Sequence, residues 1–297
     1  MNAARNGHTA TILSSGKVLV AGGFGGAYLA SAELFDGTST FTPTGAMTVG
    51  RAVHTATLLA SGKVLIAGGY STGNAYLASA ELFDGTSSFT STGSMSTARW
   101  RHTATLLPSG KVLVAGGDQP SYLSSAEIFD GTSSFALTGS MTSARSQHTA
   151  ELLNSGKVLI VGGQSGNALA SVELFDGTSS FAVDSLLMNA RYEHTSTATS
   201  SGKILVTGGY NAFSLSSAEY FDLKGNGSSC VTGDDCTSGH CSDGYCCNTA
   251  CSSGSCDRCD LAGSLGTCTV APIGNPGNPS CAQYVCDGVN ATCTSCT

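Results

Sequence analysis

The sixteen residues His54-Thr55-Ala56-Thr57-Leu58-Leu59-Ala60-Ser61-Gly62-Lys63-Val64-Leu65-Ile66-Ala67-Gly68-Gly69 decide the fold. A run of β-branched and apolar residues breaks at Ser61-Gly62, returns through Lys63–Ala67 and stops at a Gly-Gly pair. That pattern is two short strands joined by hairpin chemistry. Beyond a loop, Ser79-Ala80-Glu81-Leu82-Phe83-Asp84 supplies a third strand. A tight Asp84-Gly85 turn then leads into a fourth at Ser88-Phe89-Thr90.

The unit recurs. His stands at 8, 54, 102, 148 and 194, and Glu at 33, 81, 127, 173 and 219. Gly-Gly stands at 22–23, 68–69, 116–117, 162–163 and 208–209. The repeat is 46 residues long with one step of 48. The His-to-Gly-Gly spacing is always 14 and the Glu-to-next-His spacing always 21, so the extra length falls at Tyr70–Ala80. Four-stranded units at this period are propeller blades. Arg-x-x-His, the strand ending in Gly-Gly and the Glu-Leu-Phe-Asp strand resemble Kelch repeats over residues 1–222. Kelch repeats usually carry Tyr in the third strand and Trp in the fourth. Here those places hold Phe35, Phe83, Phe129, Phe175 and Phe221, then Phe41, Phe89, Phe135 and Phe181, which keeps an aromatic wedge.

The expected fold is therefore all-β: a Kelch-type β-propeller with five visible four-stranded blades over 1–222, a linker over 223–229, and a small irregular disulfide-rich module over 230–297. The fifth unit stops at Asp222 without a fourth strand, and Met1 aligns with Met47, Met95 and Met141. Both features predict a larger ring cut short; a five-bladed ring closed without a complete last strand is the alternative.

Composition narrows the partners. The net charge of -7 argues against a phosphate backbone, and no run of ~18 apolar residues could span a membrane. All 13 cysteines fall at or after Cys230. Cys230, Cys236, Cys241, Cys246, Cys247, Cys251, Cys256, Cys259, Cys268, Cys281, Cys286, Cys293 and Cys296 are read as a disulfide scaffold, which needs an oxidising compartment. Cys256-x2-Cys259 and Cys293-x2-Cys296 could instead hold zinc. An odd count predicts a free thiol or a partner beyond Thr297. The tail resembles cysteine-rich modules of secreted bacterial proteins, in Asp235–Cys241 and Cys246–Cys251. Asn226-Gly227-Ser228 and Asn290-Ala291-Thr292 are glycosylation sequons. The expected location is extracellular or at the cell surface, although Met1-Asn2-Ala3-Ala4-Arg5 shows no signal-peptide core.

Positions repeated five times are more readily structural than catalytic. Within 1–222, the ionisable residues outside the pattern are Arg101, Asp118, Glu151, Asp184 and Glu193, a thin inventory for acid–base or nucleophilic work. Galactose oxidase shares the Kelch propeller, but its copper site uses a Tyr–Cys crosslink that a cysteine-free propeller cannot supply. No cofactor or metal site is expected. Asp36-Gly37-Thr38-Ser39 and its copies lack the alternating carboxylates of a calcium loop and read as hairpin turns. Ser15-Gly16-Lys17 and its copies likewise lack the Gly-rich run of a phosphate loop. Arg5, Arg51, Arg99, Arg145 and Arg191 carry two readings: buried partners of the five repeated Glu, with each His bonded to backbone, or a ring near the central channel that binds an anion.

The first and third turns barely change along the chain, while two segments that share the other end of each blade vary freely. One is the middle loop, beginning Phe24, Tyr70, Asp118, Gln164 and Tyr210. The other is the pair after each Arg: Asn6-Gly7, Ala52-Val53, Trp100-Arg101, Ser146-Gln147 and Tyr192-Glu193. Variable loops on a rigid scaffold are where binding residues sit. Trp100, Arg101, Tyr192, Glu193, Tyr70, Asp118, Gln119 and Tyr210 are the candidate ligand-binding residues, together with the five arginines if they line the channel. The expected function is extracellular recognition or adhesion through this face, with a protein or carbohydrate ligand. A sugar-modifying enzyme of isomerase or epimerase type, suggested by Kelch-like enzymes that act on sugars, and a structural surface component are the alternatives.

Overall fold

The computed structural model describes residues 1–199 and 203–221, and in the tail the backbone of 241–242, 245–246, 257–258 and 269–270. The chain divides into two compact units. The first comprises Met1–Leu152, Val158–Thr195 and Thr207–Ser217, and the second Leu153–Lys157, Ser196–Val206 and Ala218–Thr297. The linker expected at 223–229 and the cysteine side chains lie outside the described residues. In the tail, Cys241–Ser242 pairs with Tyr245–Cys246, and Asp257–Arg258 with Thr269–Val270.

The repeats are antiparallel sheets whose strands follow chain order. Blade one is Thr9–Ile12, Val18–Ala21, Ala32–Phe35 and Phe41–Pro43. Blade two is Thr55–Leu58, Val64–Ala67, Ala80–Phe83 and Phe89–Ser91. Blade three is Thr103–Leu106, Val112–Ala115, Ala126–Phe129 and Phe135–Leu137. Blade four is Thr149–Leu152, Val158–Val161, Ser171–Phe175 and Phe181–Leu186. The fifth sheet has three strands among the described residues, Thr195–Ala198, Ile204–Thr207 and Ala218–Phe221.

The second strand of blades two to four is an unbroken, fully buried apolar run because neighbours cover both of its faces. Side chains alternate across a strand. Val64 and Ile66 therefore enter the cluster shared with Leu19 and Ala21 of blade one, while Leu65 and Ala67 enter the one shared with Val112 and Val114 of blade three. The first strands of blades one to four, Thr-Ala-Thr-Leu in blades two and three, lie side by side in order. The Phe wedge of the third and fourth strands forms as expected: Phe83–Phe89, Phe129–Phe135 and Phe175–Phe181 have ring centroids 4.9, 4.9 and 4.8 Å apart.

Three repeated devices lock the blades. First, each Arg folds back into its own blade. Arg99 Nη1 donates to the Gly116 and Ser125 carbonyls at 2.7 and 3.0 Å, and Nη2 to Glu127 Oε1 at 2.9 Å. Glu127 also accepts the backbone N–H groups of Ser96 and Thr97 at 2.7 and 3.2 Å, which ties the incoming link to the third strand. Arg5–Glu33, Arg51–Glu81 and Arg145–Glu173 repeat the pair at 2.8, 3.0 and 2.5 Å. Second, each later His reaches the previous blade. Nε2 of His54, His102, His148 and His194 lies 2.9, 2.9, 2.9 and 3.0 Å from the hydroxyl of Thr9, Thr55, Thr103 and Thr149. The expected His partner was backbone; the side chain instead finds the Thr hydroxyl on the adjacent first strand. Third, the first Gly of the pairs at Gly22, Gly68, Gly116 and Gly162 admits the next repeat. At Gly116 (φ +63°), a Cβ would stand 2.5 Å from the Arg145 carbonyl oxygen and 2.7 Å from the His148 ring. The Gly117 N–H donates to that same carbonyl at 2.8 Å.

Candidate functional site

Antiparallel register brings the middle loops and the pairs after each Arg to the same end of every sheet. There, the first residue of each pair bridges the first residue of its own middle loop: Asn6 with Phe24, Ala52 with Tyr70, Trp100 with Asp118, Ser146 with Gln164 and Tyr192 with Tyr210. The middle loops are small hairpins, Tyr70–Ser71 with Ala75–Tyr76, Asp118–Gln119 with Ser121–Tyr122 and Tyr210–Asn211 with Phe213–Ser214. The variable positions thus sit on ordered backbone.

The second residue of each pair takes the left-handed conformation: Gly7 at φ 59°, Val53 at 53°, Arg101 at 51°, Gln147 at 54° and Glu193 at 53°. Non-glycine residues enter this region rarely, and a β-branched one at a cost. Backbone bonds link blade one to blade two, and blades three to five in series. The Val53 N–H donates to Gly7 O at 2.8 Å, Gln147 to Arg101 O at 3.1 Å and Glu193 to Gln147 O at 3.1 Å. Strained residues held in place by their surroundings gather at functional sites.

The rim has two chemical halves. Over blades one to three it is aromatic. Phe24–Tyr28, Tyr28–Tyr70 and Tyr70–Trp100 have centroids 5.1, 5.7 and 5.0 Å apart, and Tyr76 meets both Tyr70 and Trp100 at 5.2 and 6.1 Å. Phe24, Tyr28, Tyr70 and Trp100, with Asn6, Ala52 and Val53, surround a cleft of about 230 Å³. Arg101 closes the row, its guanidinium carbon 4.0 Å from the Trp100 centroid. Burial, with Tyr28 and Tyr76 nearby, raises the Tyr70 phenol above its ordinary value, so it stays neutral. Its hydroxyl donates to Asn74 Oδ1 at 2.7 Å.

Over blades three to five the rim is polar. Arg101, Gln147, Gln164, Tyr192, Glu193 and Tyr210 line a shallow cleft of about 390 Å³. Gln164 Nε2 donates to Gln147 Oε1, and Gln147 Nε2 to Glu193 Oε1. Tyr192 and Tyr210 meet edge to face at 5.4 Å. Burial raises the Asp118 carboxyl, while the charge of Arg101 acts the other way.

Six of the expected residues therefore line the two clefts: Tyr70 and Trp100 the aromatic one, Arg101, Tyr192, Glu193 and Tyr210 the polar one. Asp118 and Gln119 sit on the hairpin beside Trp100 and line neither. The anion-binding reading of Arg5, Arg51, Arg99, Arg145 and Arg191 is corrected by their placement. All five are buried, four of them fully, and their guanidinium groups bond the blade interior. Phe24, Tyr28, Tyr76, Gln147 and Gln164 complete the rim and were not among the expected residues. The signal for two of them was present: Ala-Tyr-Leu at 27–29 and 75–77 keeps a Tyr four residues before the strand Glu-Leu-Phe begins to pair.

Stacked four-stranded antiparallel sheets with first strands side by side make the repeat region a β-propeller. The family model described as Kelch motif matches residues 191–231. With the same residues at the same spacing in the preceding repeats, this is a Kelch-repeat β-propeller. No curated protein matches the chain. Kelch repeats generally mediate protein–protein binding.

Proposed function

We propose that the chain is an extracellular recognition protein that holds a protein partner through the rim of its propeller. One observation carries the reading: the free end of blades one to three presents Phe24, Tyr28, Tyr70, Tyr76 and Trp100 as one contiguous row. Phe24 keeps 37% of its surface exposed even so. Tyr, Trp and Arg at the centre of a patch, on backbone already ordered, are the composition of a binding hot spot. Thirteen cysteines confined to the tail support an oxidising, extracellular setting.

A photo-crosslinking residue at position 76, compared with one at Thr132 in the invariant Asp-Gly-Thr turn, tests the assignment of the face in extracellular fractions of the native host. Crosslinked protein is expected from position 76 and not from 132. The same products from both positions would count against a rim-specific partner. Carbohydrate is a second reading, favoured by the 34° tilt between Tyr70 and Trp100, which leaves two rings facing similarly for a sugar to stack on. Trp100 is the sole Trp, so its emission reports glycan binding directly. A saturable change with neutral oligosaccharides, lost in Tyr70→Ala, would favour it over the protein reading.

A further inference from the structure

Arg5, Arg51, Arg99 and Arg145 are each paired with a buried glutamate of their own blade, and two charged residues of the rim stand apart from that scheme. Arg101 and Glu193 line the same 390 Å³ cleft, and among the described residues neither forms an ion pair. Arg101 rests on the Trp100 ring and Glu193 accepts from Gln147. They do not pair with one another, and the backbone series sets Gln147 between them: Gln147 N–H bonds Arg101 O, and Glu193 N–H bonds Gln147 O. Gln164 in turn holds the Gln147 side chain. A cation and an anion are thus presented one blade to either side of a fixed amide, with Tyr192 and Tyr210 behind the anion.

We infer that this cleft takes a dipolar peptide segment, with a carboxylate seated on Arg101 and an ammonium or guanidinium group on Glu193. The inference rests on the rim-binding reading above and deepens it by naming the chemistry of the partner. Arg101 offers planar paired donors to a carboxylate while its other face stays on indole. Glu193 offers acceptor capacity left over after the Gln147 bond, and the adjoining Tyr192–Tyr210 rings suit the approach of a cation. A partner bearing charge of one sign alone would meet repulsion from one of the two groups, so the pair selects against wholly acidic and wholly basic segments.

The test uses the intact chain and Trp100 emission, since Arg101 lies on that ring. The probes are capped peptides with one Glu and one Lys separated by one to three Gly residues, set against all-Glu, all-Lys and uncharged peptides of the same length. Saturable binding of the mixed-charge peptides is expected, weakening as salt is added. Arg101→Gln and Glu193→Gln should each weaken it about fivefold, the scale of one solvent-edge ion pair. Glutamine already occupies the equivalent left-handed position at Gln147, φ 54°, so both variants suit the backbone. Their circular dichroism and melting should match the parent. The charge swap R101E with E193R should invert the preference between Glu-to-Lys and Lys-to-Glu peptides. Peptide binding that survives both neutralising variants yet fails in Tyr70→Ala would overturn the dipolar inference and leave the rim reading standing. A flat response to every peptide would overturn both.

Discussion

The outer and the inner residues of one short segment behave as different proteins. In Arg99-Trp100-Arg101-His102, the outer residues recur in every repeat and are buried, while the inner two change in every repeat and form the rim. Arg99 is wholly enclosed against Glu127, whereas Arg101, two residues later, lies half-buried on the Trp100 ring. One chemical type is thus put to two uses by backbone alternation alone. The repeated skeleton stores stability and the left-handed rim positions are free to vary, because substitution there leaves the interlocks untouched.

Breaking that contrast begins with the skeleton. Arg145→Ala leaves Glu173 buried, holding the Thr142 and Ser143 N–H groups but without its cation. A loss of about 3–5 kcal/mol is expected by chemical denaturation. An unchanged melting temperature would refute the pairing. The double variant Arg145→Met with Glu173→Leu should recover part of the loss, since it leaves no unpaired charge behind.

The next effect separates space from backbone strain. Gly110 (φ +80°) and Gly116 (φ +63°) are both left-handed, but a Cβ at Gly110 meets nothing within 4 Å and one at Gly116 meets the Arg145 carbonyl at 2.5 Å. Gly110→Ala should cost about 1 kcal/mol, the left-handed penalty alone. Gly116→Ala should cost clearly more, since blades three and four must part. Equal melting temperatures for the two would show that blade contact at the Gly-Gly pair contributes little.

Acid sharpens the contrast from another side. Burial, reinforced by Arg51 and His8 for His54 and by Arg145 and His194 for His148, pushes both imidazoles down to about 3. His102 is likewise well below its ordinary value, first through burial. The unfolded chain binds protons at these sites near pH 6.5 and the folded chain does not. Their stabilisation is complete above pH 6.5 and is lost as pH falls from there towards 3. Melting temperature should therefore decline between pH 6.5 and 5, before the turn carboxylates of Asp84 and Asp130, held down to about 2, take up protons. Three backbone N–H groups bond each of these two carboxylates. A flat profile down to pH 5 would mean the histidines are less enclosed than the interlocks require.

Most of the skeleton was legible because it is periodic. The constant spacings from His to Gly-Gly and from Glu to the next His reflect the same bonds made again in each blade, and a repeated bond prints a repeated residue. The rim was legible only as variation. Trp100, Tyr192 and Tyr210 could be placed on one face from topology, but nothing in the residues told that Gln147 bonds both Gln164 and Glu193, since those contacts occur once. Tyr76 escaped for a related reason: the hairpin that folds it back over Tyr70 lies in the segment whose length changes, and Tyr28 reaches Tyr70 from the loop of the preceding blade. The Arg residues could be read either way because sequence does not report which way a guanidinium points.

The smallest expected effect runs in the opposite direction to the rest. Val53 is β-branched yet held at φ 53°, where the first repeat has Gly7 at φ 59°. Val53→Gly should remove roughly 1 kcal/mol of native strain, partly offset by the greater freedom glycine gives the unfolded chain, so a small rise in stability or none is expected. The same change strips a wall from the aromatic cleft that Val53 lines with Tyr70 and Trp100, and ligand affinity at that cleft should fall. Stability that rises while binding falls would mark the rim as a place where strain is kept for recognition. If stability fell by 1 kcal/mol or more, Val53 would instead belong with the interlocks, and the division between a constant interior and a tunable rim would have to be moved outward by one residue in blade two.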